Sequence, residues 1–257
     1  MRKILSCQYV GSVWGAVPWL AVILFGGLVL AFGAAVRLSF AAPRPVVVVD
    51  PGHGGNDVGV RGDQGVTEKG CMLALALELQ NILAPTCRVE LTRSGDDQLD
   101  LARRTALANR LEASLFLSLH AGGSFLHGPR GATIYFFKGP QGVEGPAAGA
   151  SFSQEERPRW EHLQERHLAS SRALAKALLN ALTGVAEASV VGAPLAVLAG
   201  ADLPAVLVEV GYLTHPFEAR QLGDPEAVSA LARAIAVGVA DFLENATSGE
   251  QQGRGKK

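Results

Sequence analysis

Three runs of apolar residues in the sequence lead into side chains that could bind a metal or transfer a proton. VVVVDPGH ends in His53, LFLSLH ends in His120, and AVLVEVG contains Glu209. The carboxyl ends of parallel strands lie along one edge of a sheet, and ligands bind at that edge in open α/β folds. If the three runs are parallel strands, these side chains meet there although they are far apart in sequence.

Glu68 is a fourth candidate, because it lies at the predicted start of the first helix, after the loop that follows His53. A carboxylate at this position could instead serve only the helix, whose positive dipole end favours negative charge. Two histidines and one carboxylate are, however, a common ligand set of catalytic zinc, which keeps a fourth position for water. The remaining carboxylate could then take a proton from that water and pass it to a leaving amine.

The other three candidates also have purely structural interpretations. His53 could be a histidine of a turn, and His120 could be a strand-end histidine with satisfied hydrogen bonds. Glu209 ends an otherwise buried strand, so it needs either a function or a partner, such as an ion pair with Arg93.

The four remaining histidines are weaker candidates. His162 and His167 are five residues apart, which places them about 140° apart around a helix. The helical zinc-protease motif needs histidines four residues apart, so these two do not form it. His127 and His215 fall in predicted loops and are interpreted as surface residues.

The elements that would position these side chains alternate between strands and helices. Strands are predicted at 46–49, 88–92, 115–119, 132–137, 195–198 and 205–209, and helices at 69–84, 99–112, 160–183 and 225–244. Short unbroken apolar strands between amphipathic helices predict a single α/β domain with a largely parallel or mixed central sheet flanked by helices. This domain spans residues 46–245, after a linker at 43–45, and the polar tail at 246–257 is predicted to be disordered.

The N-terminal 42 residues predict a transmembrane segment. Residues 10–36 are nearly all apolar, and no charged residue or histidine occurs between Ile4 and Val36. About 20 apolar residues cross a bilayer, whereas the apolar part of a secretory signal is about 7 to 15 residues long. We therefore interpret the segment as an uncleaved signal anchor in the cytoplasmic membrane, with cleavage near Ala41 as the alternative. Either way, we expect the domain at 46–245 to lie outside the cytoplasmic membrane, in the periplasm or cell envelope, or to be secreted if the segment is cleaved.

Charge and cysteine content exclude other classes. The chain has 23 Lys and Arg against 24 Asp and Glu, so it lacks the basic field that nucleic acid binding requires. Cys71 and Cys87 fall near opposite ends of a predicted helix, roughly 20 Å apart, so no disulfide is predicted between them.

Five blocks in this order resemble the zinc-dependent N-acetylmuramoyl-L-alanine amidases of the amidase 3 family. They are VVVVDPGHGGNDVG with the downstream TEK, LTR at 91–93, LARRTALAN at 101–109, LFLSLHA at 115–121 and LPAVLVEVGYLTHPFEARQL at 203–222. The resemblance implies that His53, Glu68 and His120 are zinc ligands and that Glu209 is the catalytic carboxylate. It further implies hydrolysis of the amide between N-acetylmuramic acid and L-alanine in peptidoglycan. The family arginines match Arg93 and Arg104, which we interpret as structural.

The sequence departs from the family pattern at three places. Ala121-Gly122-Gly123 follows the second histidine, where the family usually has an Ala-Asn pair. Val191-Gly192-Ala193-Pro194 stands where the family commonly has Arg-Gly. Tyr212 and His215 replace the more usual Phe and Asn. These changes leave the metal ligands intact but put substrate contacts in question.

Residues 138–159 are the part least like the family. Some relatives carry a helix here that covers the zinc until an activator protein removes it, and Glu155 and Glu156 could reach a metal. A mobile loop rich in Gly and Pro is the preferred interpretation.

Two other functions are compatible with the same residues. The chain could be a non-catalytic peptidoglycan-binding or regulatory protein that retains the fold, although the intact His53, Glu68, His120 and Glu209 argue against this. A zinc peptidase or deacetylase acting on another bond of the wall would use the same chemistry.

Overall fold

The short apolar segments form one mixed sheet, and the amphipathic segments form helices on both of its faces. The computed structural model describes residues 44–62, 65–139 and 163–254. The six described strands are β1 (Val46–Pro51), β2 (Arg88–Leu91), β3 (Leu115–Gly122), β4 (Ala132–Phe137), β5 (Ala188–Ala193) and β6 (Ala205–Tyr212). The helices are α1 (Glu68–Leu83), α2 (Leu101–Arg110), α3 (Leu163–Arg166), α4 (Leu168–Leu182), α5 (Ala196–Ala199), α6 (Pro216–Gly223) and α7 (Pro225–Arg254).

The strand order is β2-β1-β3-β6-β4-β5. The first four of these strands are parallel, whereas β4 is antiparallel to β6 and β5 is parallel to β4. This confirms the predicted α/β class with a mixed sheet flanked by helices. The carboxyl ends of β1, β3 and β6 lie on one edge, which is therefore also the edge where β4 begins.

Each face of the sheet has its own apolar core. Helices α1, α4 and α7 cover the larger core, which contains Met72, Leu117 and Val208. Helices α2 and α5 cover the smaller one, around Phe116 and Leu198. Because side chains alternate along a strand, Asp50, Ser118, His120 and Glu209 belong to the face of the smaller core.

The predicted strand at 195–198 is wrong. The strand lies at Ala188–Ala193, and residues 196–199 form the short helix α5. Strand β5 is an edge strand whose residues alternate between partly buried and exposed, so its apolar signal is weak. The apolar run AVLA is as short as a strand, and periodicity alone cannot distinguish a buried helical turn from a strand at this length.

Several helix boundaries also differ from the prediction. The helix predicted at 160–183 is interrupted at His167, and α6 was not predicted. The last helix continues to Arg254 instead of ending near residue 244, so the predicted disordered tail is helical over 246–254. No proline interrupts this stretch, and the hydroxyls of Thr247 and Ser248 donate to Leu243 and Glu244 carbonyls one turn back.

Two further predictions concern the membrane segment and the cysteines. The predicted membrane segment at 10–36 lies outside them, and within them no helix is long and apolar enough to cross a bilayer. Cys71 and Cys87 are described and are buried free thiols.

A fully buried carboxylate joins the strands next to the predicted site. Asp50 in β1 accepts hydrogen bonds from Thr92 Oγ1 at 2.5 Å, Arg104 Nη1 at 2.8 Å and Ser118 Oγ at 2.7 Å. Thr92 directly follows β2, Arg104 lies in α2 and Ser118 lies in β3. Three donors satisfy the charge, so the buried carboxylate ties three elements to β1.

Removing Arg104 should therefore cost much more than removing its neighbour. Arg104→Leu leaves the Asp50 carboxylate without its cation, and we expect a loss of about 3–5 kcal/mol in unfolding free energy. Arg103 lies on the same helix with its side chain 74% exposed, so Arg103→Leu should cost less than about 1 kcal/mol. Urea denaturation of both variants measures the difference, and equal losses would contradict the role of the Asp50 pair.

Candidate active site

The structure brings the four predicted site residues to one edge of the sheet. His53 follows β1, Glu68 is the first residue of α1, and His120 lies near the end of β3. Glu209 in β6 is the cross-strand partner of His120. The meeting predicted from the strand ends is thus observed, because β1, β3 and β6 are parallel neighbours.

His53, Glu68 and His120 form a cluster of donor atoms suited to a metal ion. His53 Nε2 lies 3.0 Å from Glu68 Oε2, and His120 Nδ1 lies 3.0 Å from Glu68 Oε1. One donor atom from each residue lies within 4.8 Å of the others. Two imidazole nitrogens and a carboxylate oxygen at this spacing fit the three protein ligands of a catalytic zinc site.

A second carboxylate orients the first histidine. His53 Nδ1 donates to Asp57 Oδ2 at 2.8 Å, which leaves Nε2 directed at Glu68. Carboxylates commonly hold metal-binding histidines in this way and fix the ring nitrogen that binds the ion. Asp57 was not among the predicted site residues, although an aspartate four residues after a candidate ligand in the same loop is a usable signal.

The charges of the cluster favour a deprotonated Glu68. Burial would raise the pKa of Glu68, but hydrogen bonds from His120, His53 and the backbone N–H groups of Val60 and Ala121 reverse this and hold the pKa well below its ordinary range. The hydrogen bond with Glu68 in turn raises the pKa of His53, against the opposing effect of burial. A protonated imidazole beside Glu68 stabilises the ionised carboxylate, and a metal cation in the cluster would stabilise it in the same way.

The backbone around His53 approaches the site unusually closely. His53 has a φ of +63°, a left-handed conformation that only a few per cent of residues other than Gly adopt. A Cβ on Gly52 would lie 2.7 Å from His120 Nδ1, and one on Gly59 would lie 2.5 Å from Glu68 Oε2. The donor groups therefore occupy space that only glycine leaves open.

Two buried arginines hold this strained loop in place. Arg93 donates to the carbonyls of Pro51 at 3.0 Å and Gly52 at 2.7 Å, and Arg104 donates to that of His53 at 2.9 Å. This agrees with the structural role inferred for both arginines. It also excludes the alternative in which Arg93 pairs with Glu209, because the described contacts of Arg93 are with backbone carbonyls.

Glu209 has a different environment from Glu68. Its Oε2 accepts a hydrogen bond from the Tyr135 hydroxyl at 3.3 Å. Burial raises the pKa of Glu209, and the Tyr135 hydrogen bond and the charge of His120 only partly oppose it. Tyr135 was not among the predicted site residues, because nothing in the sequence shows that β4 is antiparallel and adjacent to β6.

The departures from the family pattern lie at different distances from the cluster. Gly122, two residues after His120, faces the Tyr212 ring so closely that a Cβ would lie 2.8 Å from Tyr212 Cδ1. A β-bulge separates the pairs His120–Glu209 and Gly122–Tyr212, which returns Tyr212 to the face of Glu209. Residues 191–194, in contrast, lie at and just after the end of β5, on the opposite edge of the sheet.

The remaining histidines and the proposed covering segment are not part of the described cluster. His127 is exposed and contacts the Thr214 carbonyl at 2.6 Å, and His167 contacts Asp202 at 2.9 Å. His215 is only partly buried at the start of α6. His162 and residues 140–162, with Glu155 and Glu156, lie outside the described residues, so the autoinhibition hypothesis stays a prediction.

The glycine contacts give a test of the metal cluster with a matched control. Gly59 and Gly65 have φ values of +63° and +80°, so alanine at either position should cost about 1–2 kcal/mol of backbone strain. Only at Gly59 would the Cβ also crowd Glu68 and His53; at Gly65 no atom lies within 4 Å. We expect Gly59→Ala to weaken zinc binding roughly 10- to 100-fold and Gly65→Ala to leave it unchanged. Competition with a chromogenic chelator measures both, and equal affinities would refute the crowding.

Comparisons with known proteins agree with this geometry. Residues 47–241 match the family model described as N-acetylmuramoyl-L-alanine amidase. The chain is 31% identical to AmiA of Escherichia coli K12 over 78% of its own length and 76% of that protein. It is 30% identical to AmiC of Neisseria meningitidis over 78% of its length, but it spans only 53% of that relative.

Solved structures show the same fold. The catalytic domain of CwlV from Bacillus (Paenibacillus) polymyxa is 29% identical, with a TM-score of 0.63, over 78% of this chain and 98% of that one. AmiC2 of Nostoc punctiforme is 27% identical, also with a TM-score of 0.63, over 78% and 97%. Because the family model matches most of the chain, this protein belongs to the N-acetylmuramoyl-L-alanine amidase family.

Proposed function

We propose that the protein is a zinc-dependent amidase that hydrolyses the amide between N-acetylmuramic acid and L-alanine in peptidoglycan. The observation that carries the proposal is the His53, Glu68 and His120 donor cluster beside Glu209, in a chain of this family. The proposed ligands are His53, Glu68 and His120, and Glu209 is the proposed catalytic residue.

The chemistry follows from the different environments of the side chains. A zinc ion in such a site supplies Lewis-acid chemistry, polarising a carbonyl and lowering the pKa of water to about 7. Asp57 holds His53 in the orientation that exposes Nε2. Glu209 has a raised pKa, which suits a group that must first accept a proton from the attacking water and then donate it to the leaving amine.

Amide hydrolysis needs both halves of this proton transfer. An amine leaves only after it is protonated, so one carboxyl group that changes state twice serves the reaction better than a permanently ionised one. Glu68 cannot take this part, because its hydrogen bonds hold it in the ionised form. The two glutamates therefore have separate roles in the proposal.

We further propose that residues 46–245 are the catalytic domain and that residues 10–36 anchor it outside the cytoplasmic membrane. The long uncharged apolar segment supports the anchor, and a wall substrate requires an extracytoplasmic domain. Amino-terminal sequencing of the mature protein and protease accessibility in spheroplasts test this. A new N-terminus after Ala41 would replace the anchor with a cleaved signal.

Metal removal tests the cofactor. Incubating purified protein with peptidoglycan sacculi should release stem peptides with a free L-alanine amine, and a chelator should abolish the release. Added Zn²⁺ should restore it, because the His and Glu ligands rebind the ion. Chelator-resistant release would contradict a metal enzyme, and absence of release with full zinc content would favour the non-catalytic alternative. Release at another bond would indicate a peptidase or deacetylase.

Substitution of Glu209 tests the proton-transfer role. Glu209→Gln should keep bound zinc but lower turnover by about 10²- to 10⁴-fold, because the glutamine side chain cannot accept a proton from the attacking water. His53→Ala and His120→Ala should instead lose the metal. Glu226→Gln, an exposed glutamate of α7, is the matched control and should retain wild-type turnover. Retained turnover in Glu209→Gln would end the assignment.

A further inference from the structure

The Glu209 carboxylate is held by a neutral donor instead of a cation. Tyr135 OH donates to Oε2 at 3.3 Å, and no other donor within the described ranges hydrogen-bonds to this carboxylate. Glu68, in contrast, is bonded by two imidazoles and two backbone N–H groups. Oε2 of Glu209 therefore has one hydrogen-bond partner, whereas Oε1 has none among the described residues.

The phenol is positioned by the sheet itself. In the antiparallel pair of β4 and β6, Thr133 lies opposite Glu209 and Tyr135 lies opposite Leu207. Residues two apart on a strand point to the same face, so Tyr135 and Glu209 share the face of the smaller core. Thr133, which lies opposite Glu209, also contacts the edge strand β5, because its Oγ1 lies 3.4 Å from Ser189 Oγ. A group carried by adjacent strands is held more precisely than one on a loop.

A neutral donor suits a carboxylate that must exchange a proton. A lysine or arginine at this distance would hold the pKa of Glu209 low and make it a poor base. Burial, followed by the charge of Glu209, raises the pKa of Tyr135 itself. The phenol therefore stays protonated and remains a donor while Glu209 changes state.

We propose that Tyr135 is a positioning residue for Glu209: its hydroxyl fixes Oε2 and so directs Oε1 toward the attacking water and the leaving amine. This inference rests on the proposed function and adds a residue to it. Tyr135 acts through Glu209, because the hydrogen bond goes to the carboxylate. Its loss should consequently affect the proton-transfer step more than substrate binding.

The test is Tyr135→Phe in the full-length, zinc-loaded protein, with a soluble muropeptide as substrate. We expect kcat to fall about tenfold, as one hydrogen bond to a charged group is lost, with KM within twofold of wild type. Zinc content and the unfolding midpoint should be unchanged. Thr86→Val is the matched control, since it removes an exposed hydroxyl that donates to the Leu83 carbonyl just before β2, at the sheet edge opposite Glu209; its kcat should change less than twofold.

A double substitution separates positioning from general damage. In the Glu209→Gln background, Tyr135→Phe should lower the residual rate by less than twofold, because the two residues act as one unit. A full tenfold loss in that background would overturn the inference. So would an unchanged kcat in the single variant, or a raised KM with unchanged kcat. Failure of the proposed function looks different: the unsubstituted zinc-loaded protein releases nothing, which overturns both.

Discussion

The buried carboxylate of Asp50 is the constraint on which the site depends. It sits inside β1 and binds one donor from each of three surrounding segments, including the guanidinium of Arg104 at 2.8 Å. The same guanidinium reaches on to the carbonyl of His53. The arginine that neutralises the buried Asp50 carboxylate thus also holds the loop that carries His53. A buried ion pair is a weak source of net stability, but breaking this one would leave the Asp50 carboxylate without its cation.

That geometry is needed because the loop is strained. His53 adopts a left-handed backbone, and Gly52 and Gly59 allow the His120 imidazole and the Glu68 carboxylate to pack against bare backbone. Such a conformation costs on the order of 1–3 kcal/mol and persists only where the surroundings over-determine it. Arg93 and Arg104 hold this backbone conformation by donating to its carbonyl groups. The His53 imidazole is therefore positioned through the backbone to which it is attached.

Two glutamates at the same sheet edge are driven to opposite states. Glu68 is buried and Glu209 is partly buried, but Glu68 receives four hydrogen bonds that stabilise its ionised form, whereas Glu209 receives one from a phenol. The pKa of Glu68 is lowered and that of Glu209 is raised. Carboxylates whose environments separate their pKa values in this way can divide ligand and proton-transfer roles between them.

The amino-acid sequence by itself determined the α/β class, the strands that carry His120 and Glu209, and the loop from His53 to Glu68, since these depend on local patterns of apolar residues and glycines. It did not determine the edge strand β5, the short helix α5 or the end of α7, because short apolar runs and solvated helix ends carry little periodic signal. Asp57 and Tyr135 became visible only in the tertiary structure. Asp57 folds back within its loop to bond His53. Tyr135 bonds Glu209, which lies 74 residues away in sequence on the neighbouring strand. Local sequence specifies each element, but only packing decides which elements become neighbours, and hydrogen bonds between distant residues follow from that choice.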